Sequence, residues 1–206
     1  MHIKVCGITR RGDAELAVAL GAGALGFVFW PSSPRCARVP DVRAIARHLP
    51  PFVAAVGVFV NAPRDEVLRT ADAAALTAIQ LHGDEDPGEY DGCGLRVIKA
   101  MAVSAGFDPA SVDDLPPWVT VLLDAHDPVR RGGTGRTIDW TAAARASRIR
   151  RVMLSGGLTP ENLEPALRTV RPYAVDVSSG VESAPGVKDE GKLRAFFAAA
   201  GAQGET

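Results

Sequence analysis

The chain is poor in cysteine. Only Cys6, Cys36 and Cys93 occur in 206 residues, an odd and scattered set that cannot form a disulfide framework. No CxxC pair or Cys/His cluster has metal-site spacing, so no metal is expected. No apolar run approaches the roughly 20 residues that cross a bilayer, so no membrane partner is expected. The first residues lack the basic and apolar regions of a secretory signal, which makes a cytoplasmic location the expectation. Neither sign of charge dominates: 23 Lys and Arg against 24 Asp and Glu give a net charge of −1. With no basic block, nucleic acid is not an expected partner. There is no linker, low-complexity tract or charge run, so one domain over residues 1–206 is expected.

What the chain does have is a repeated alternation. Eight short runs are rich in Val, Ile and Leu: HIKVC, ALGFVF, VAAVGVFV, LTAIQL, LRVIKAM, WVTVLL, RVMLS and YAVDVS. Segments with helical spacing lie between most of them, among them DAELAVAL, DVRAIARHL, DEVLRTADA, ENLEPALRTV and KLRAFFAAA. Strands alternating with helices imply parallel βαβ units, and eight of them imply a closed (β/α)8 barrel, the α/β class of the TIM barrel. The length is short for that fold, and the weakest helices are expected after LTAIQL and LRVIKAM. Asp13 and Asp41 are read as preceding helices. Thr159-Pro160-Glu161 is read as an N-cap, a first-turn proline and a first-turn acid.

Barrel active sites lie at the C-terminal ends of the strands. There stand Cys6, Gln80 with His82, Asp124, Ser155-Gly156-Gly157, and Asp176 with Ser178-Ser179-Gly180. Alternate strand residues face opposite sides. If Ile3 and Val5 face the helices, Lys4 and Cys6 point inward. By the same parity Thr120, Asp124 and Asp176 point inward, and Cys6, Asp124 and Asp176 converge at the barrel mouth.

Three loop stretches carry chemistry. LSGGLTPEN and DVSSGVE follow the last two strands, where glycines and helix starts offer backbone N–H groups to a phosphate. DPVRRGGTGRTIDW is long and rich in glycine, with Gly132, Gly133 and Gly135, which suits a lid or substrate-lining loop. WPSSPRC is stiffened by prolines and presents Arg35, whose planar fork suits a carboxylate.

Together KVCGIT, GFVFWPSSPR, QLHG, Asp124 with GGTG and DW, LSGGLTPEN, and DVSSGVE with PGVKD resemble the phosphoribosylanthranilate isomerase family over almost the whole chain. That resemblance implies an Amadori rearrangement in tryptophan biosynthesis. An aminoaldose, N-(5-phosphoribosyl)anthranilate, becomes 1-(2-carboxyphenylamino)-1-deoxyribulose 5-phosphate without any cofactor. It implies Cys6 as general base and Asp124 as general acid. Arg35 is implied as partner of the anthranilate carboxylate, Ser155-Gly156-Gly157 and Ser178-Ser179-Gly180 as phosphate cradle, and Asp176 as a sugar-hydroxyl contact. Gln80, His82 and Gly133 are implied as further substrate contacts. The partner is then a phosphorylated small molecule, with the protein a monomer or a homodimer. Trp30 and Cys36, flanking PSSPR, depart from the family's pattern.

The chemistry makes a demand on the site. With ordinary pKa values of about 3.9 and 8.5, roughly one Asp in a thousand is protonated at pH 7 and about three thiols in a hundred are ionised. Both together amount to about 6 kcal/mol of barrier, so at least one pKa is expected to be shifted. Two-phosphate sugar isomerases of the same fold resemble a barrel with Asp where this chain has Cys6. A non-catalytic phosphate-binding barrel would be expected to lose Cys6 or Asp124.

Overall fold

Eight parallel strands close on themselves in the order of the chain. They are β1 (His2–Val5), β2 (Ala24–Val28), β3 (Ala54–Phe59), β4 (Ala78–Leu81), β5 (Arg96–Val103), β6 (Thr120–Ala125), β7 (Val152–Leu154) and β8 (Ala174–Val177). Pairing of β1 with β8 shuts the barrel and sets Lys4 opposite Asp176. The computed structural model describes residues 1–125 and 138–201. Gly132, Gly133 and Gly135 of the expected substrate-lining loop lie outside them, as does most of the C-terminal GAQGET.

Among the described residues six α-helices pack outside: α1 (Arg11–Ala19), α2 (Val39–Ala46), α3 (Arg64–Ala73), α4 (Trp140–Ile149), α5 (Leu163–Val170) and α6 (Glu190–Gly201). The connections after β4 and β5 are the two weak places read from the sequence. Each holds only a short 3₁₀ helix, at Pro87–Tyr90 and Pro109–Asp113. Both are started by an aspartate, Asp86 or Asp108, whose side chain accepts from the N–H two residues on, with a proline at the first helical position.

Three helix starts differ from the sequence reading. Asp13 and Asp41 lie inside the first turns of α1 and α2, where their charge faces the helix N-terminus, rather than before them. Helix α5 begins at Leu163, not at Pro160. The Asn162 side chain accepts from the Thr159 N–H and donates to the Gly157 carbonyl, which holds the intervening residues in a turn.

The strand parity holds. Ile3, Val5, Val121, Leu123, Val175 and Val177 pack outward into the layer shared with the helices. Val56, Ala78, Ile98, Leu122, Met153 and Ala174 fill the barrel interior toward the strand N-termini. This plug makes the barrel a core rather than a pore. Truncating one of its large members, such as Leu122, costs about 2–5 kcal/mol.

One element has no counterpart in the eight-run reading. After β8 the chain forms a short antiparallel hairpin, β9 (Glu182–Ala184) and β10 (Val187–Lys188). Gly186, at φ +80°, makes its turn. The hairpin returns Glu182 and Lys188 to the barrel mouth. Among the described residues no helix is long and apolar enough to cross a membrane.

Candidate active site

The C-terminal mouth of the barrel holds an open cavity lined by Cys6, Arg35, Gln80, His82, Asp124, Ser155, Asp176 and Ser178, with Val28, Trp30 and Val58 as its apolar wall. Eight of the expected site residues therefore meet in one place. Gly156, Gly157, Ser179 and Gly180 form the turns just beyond β7 and β8.

Cys6 is the residue next after β1. Its N–H donates to the Val177 carbonyl of β8 at 2.8 Å, which fixes its height in the barrel. The thiol has room because its neighbour on β2 is Gly26: a Cβ there would stand 2.7 Å from Cys6 Sγ and 3.1 Å from Lys4 Nζ. Glycine inside a strand often marks such a close approach. The Lys4 ammonium is buried and pairs with Asp176 at 2.9 Å. A cation beside a thiol favours the thiolate. Lys4 and Lys188 do pull the thiol's pKa down, but burial outweighs them and the net shift is upward. The direction favours the thiol over the thiolate in the free protein.

Asp124, at the end of β6, is reached by a polar relay. The amide Nε2 of Gln80 is only a donor, so at 2.8 Å it donates to His82 Nδ1. His82 then carries its ring proton on Nε2 and donates it to Asp124 Oδ2 at 3.0 Å. Gln80 Oε1 is buried with no hydrogen-bond partner among the described residues.

Arg35 is not the solvated side chain that a surface loop would leave. Its Nε and Nη2 donate to the Glu182 carboxylate at 2.9 and 2.7 Å. Lys188 Nζ donates to the same carboxylate at 2.9 Å and to the Cys6 carbonyl at 2.6 Å. Burial pushes the Glu182 carboxyl upward, but hydrogen bonds from Arg35 and Lys188 and the lysine charge outweigh it and leave it below its usual range. The sequence reading passed over Glu182 and Lys188. Both stand in stretches singled out for other reasons, DVSSGVE and PGVKD, and a charge following a glycine-rich turn was the available signal.

The two glycine turns have the shape of an anion cradle. Gly156 and Gly157 take φ of +86° and +66°, which a residue with a Cβ rarely adopts. Gly180 lies so close to the Leu158 carbonyl that any Cβ would overlap it, so the two turns are packed together. Among the described residues nothing accepts from the N–H groups of Gly157, Ser179 or Gly180.

Residues 3–199 match the family described as PRAI, N-(5'phosphoribosyl)anthranilate (PRA) isomerase. A relative from Pelobacter propionicus, named N-(5'-phosphoribosyl)anthranilate isomerase, is 48% identical over 199 residues, 96% of this chain and 94% of its own. The crystal structure of phosphoribosyl anthranilate isomerase from Thermus thermophilus superposes with a TM-score of 0.89 at 46% identity, covering 98% of this chain and all of that one. A further isomerase structure, in complex with reduced 1-(o-carboxyphenylamino)-1-deoxyribulose 5-phosphate, superposes with a TM-score of 0.82 at 40% identity, over 98% and 99% of the two chains. With this barrel, this mouth and these relatives, the chain belongs to the N-(5'-phosphoribosyl)anthranilate isomerase family.

Proposed function

We propose that the chain isomerises N-(5-phosphoribosyl)anthranilate with Asp124 as acid and Cys6 as base. The observation that carries this reading is the meeting of a thiol from β1 and a carboxyl from β6 in one open cavity, three strands apart round the barrel. An aldose-to-ketose shift needs one proton delivered and one removed at adjoining atoms of one sugar. Asp124 gives its proton to the ring oxygen as the ring opens, and the substrate nitrogen becomes a cationic Schiff base. Cys6 removes the proton from C2, giving an enolamine, and tautomerisation delivers the ketone.

The upward shift of the Cys6 pKa gives the order of these steps a reason. Burial favours the neutral thiol in the free protein. A cationic Schiff base within about 4–6 Å favours the thiolate and acidifies the C2–H bond at the same time. Ring opening thus creates the charge that calls up the base.

The remaining contacts follow from chemistry. The turns at Ser155-Gly156-Gly157 and Ser178-Ser179-Gly180 take the phosphate, and the Arg35 fork takes the anthranilate carboxylate. Asp176 accepts from a sugar hydroxyl, with Gln80 lining the same cavity and Val28, Trp30 and Val58 beside the aromatic ring. Turnover of N-(5-phosphoribosyl)anthranilate by the purified protein, and growth of a tryptophan auxotroph lacking this step, test the reading. Failure of both, with the protein folded, overturns it.

A further inference from the structure

The hairpin that no strand pattern announced has placed a buried carboxylate behind Arg35 at the cavity wall. We propose that Glu182 is the positioning residue for carboxylate recognition. It holds Arg35 by one edge so that the other edge faces substrate, and through Lys188 it ties that fork to the backbone of Cys6. This rests on the reading of Arg35 as the substrate-carboxylate partner.

The geometry of the guanidinium carries the argument. Arginine has five N–H donors in a plane. Glu182 takes the side-on edge: Nε donates to Oε1 at 2.9 Å and to Oε2 at 3.2 Å, and Nη2 donates to Oε2 at 2.7 Å. Three N–H groups remain, two on Nη1 and one on Nη2, with no partner among the described residues. They form the end-on fork, which matches a second carboxylate in two parallel hydrogen bonds. Both partners are well buried, with side-chain exposures of 12% for Arg35 and 5% for Glu182, and Arg35 lines the cavity. The fork is therefore held in one orientation before substrate arrives, and little flexibility is left to lose on binding.

Lys188 extends this clamp to the chemistry. Its three N–H donors go to Glu182 Oε1 at 2.9 Å, the Cys6 carbonyl at 2.6 Å and the Ser178 carbonyl at 3.2 Å. One carboxylate is thus shared by the group that grips one end of the substrate and the group that fixes the backbone of the base. A displacement of Glu182 moves the carboxylate anchor relative to the thiol.

The test is steady-state kinetics on N-(5-phosphoribosyl)anthranilate and on the phosphoribosyl derivative of aniline, which lacks only the carboxylate. Wild type, Arg35→Ala, Glu182→Gln, Glu182→Asp and Arg35→Ala/Glu182→Gln are compared, with folding checked by thermal melting. Glu182→Gln is expected to raise KM for the natural substrate at least about tenfold more than for the aniline derivative, and kcat falls less than KM rises. The double variant is expected to show no further selective rise in KM for the natural substrate over Arg35→Ala alone, since the two residues act as one unit in carboxylate recognition. Glu182→Asp keeps the charge but withdraws it by one methylene, and is expected to show a smaller selective loss. It also serves if Glu182→Gln does not fold. If Arg35→Ala itself fails to discriminate the two substrates, the reading of Arg35 falls. If Arg35→Ala discriminates but the Glu182 variants lose both substrates equally, or add fully to Arg35→Ala, Glu182 is merely structural and the inference is overturned.

Discussion

Gly7 and Arg35 compete for one narrow space. A Cβ on Gly7 would stand 2.6 Å from Cδ of Arg35 and 3.0 Å from Oγ of Ser178. The glycine after Cys6 therefore does two things: it turns the chain at φ +73° and lets the arginine stem cross the end of β1.

Gly7→Ala is expected to be costly twice. The left-handed backbone alone costs about 1–2 kcal/mol, and the displaced Arg35 should raise KM for the carboxylate-bearing substrate. Gly21 separates the two effects, because it has φ +104° and no atom within 4 Å of an added Cβ. Gly21→Ala is expected to lower the melting temperature by a few degrees and leave KM unchanged. Equal KM values for the two variants would contradict the crossing of Arg35 over Gly7.

The second prediction concerns the proton on Cys6. Burial pushes its pKa up and favours the thiol, against the pull of Lys4 and Lys188. Peptide-resolved alkylation by iodoacetamide is expected to label Cys6 of the native protein slowly at pH 7 and to rise steeply only in the alkaline range. The sign for stability follows by linkage. Above the ordinary thiol value of about 8.5 the unfolded chain releases this proton and the folded chain keeps it, so stability falls with rising pH. That fall should be shallower in Cys6→Ala. Rapid labelling at pH 7 would show that Lys4 and Lys188 outweigh burial after all.

Much of this was legible from Val, Ile and Leu runs and their last residues. A period of two placed Lys4, Cys6, Asp124 and Asp176 inward because parallel strands have no other way to pack a helix layer outside. What the sequence hid depends on contacts between distant segments. Glu182 and Arg35 are 147 residues apart and Lys188 and Cys6 are 182 apart, so no local pattern links them. The α5 start was misplaced because Thr159-Pro160-Glu161 has every local mark of a helix beginning, and only the Asn162 side chain bonding back to Thr159 delays it.

The third prediction tests the two glycine turns as one anion site. Inorganic phosphate is expected to compete with substrate. Gly180→Ala must push Leu158 away, because the new methyl would overlap its carbonyl. The variant is therefore expected to lose phosphate inhibition and to raise KM, while the cavity wall at Cys6 and Asp124 stays in place. Purely noncompetitive inhibition of the wild type by phosphate would move the phosphate elsewhere.

The last prediction isolates Asp124. Its Oδ2 receives the His82 Nε2 proton at 3.0 Å, and the Gln80 amide fixes which ring nitrogen carries that proton. Asp124→Asn keeps the size of the side chain, and its amide oxygen accepts the same hydrogen bond, so the relay and the cavity persist. What the variant lacks is a proton to give to the ring oxygen. General acids of this kind contribute about 10²–10⁴-fold, and a loss of kcat in that range is expected. Binding of the product, whose ring is already open, asks nothing of that proton, so its Kd from fluorescence titration should stay within about threefold of wild type. The basic limb of the kcat profile should also disappear, since it reports loss of the acid's proton. If Asp124→Asn turns over near the wild-type rate, His82 or a substrate group supplies the proton. If product binding collapses along with kcat, Asp124 holds the sugar and does not protonate it.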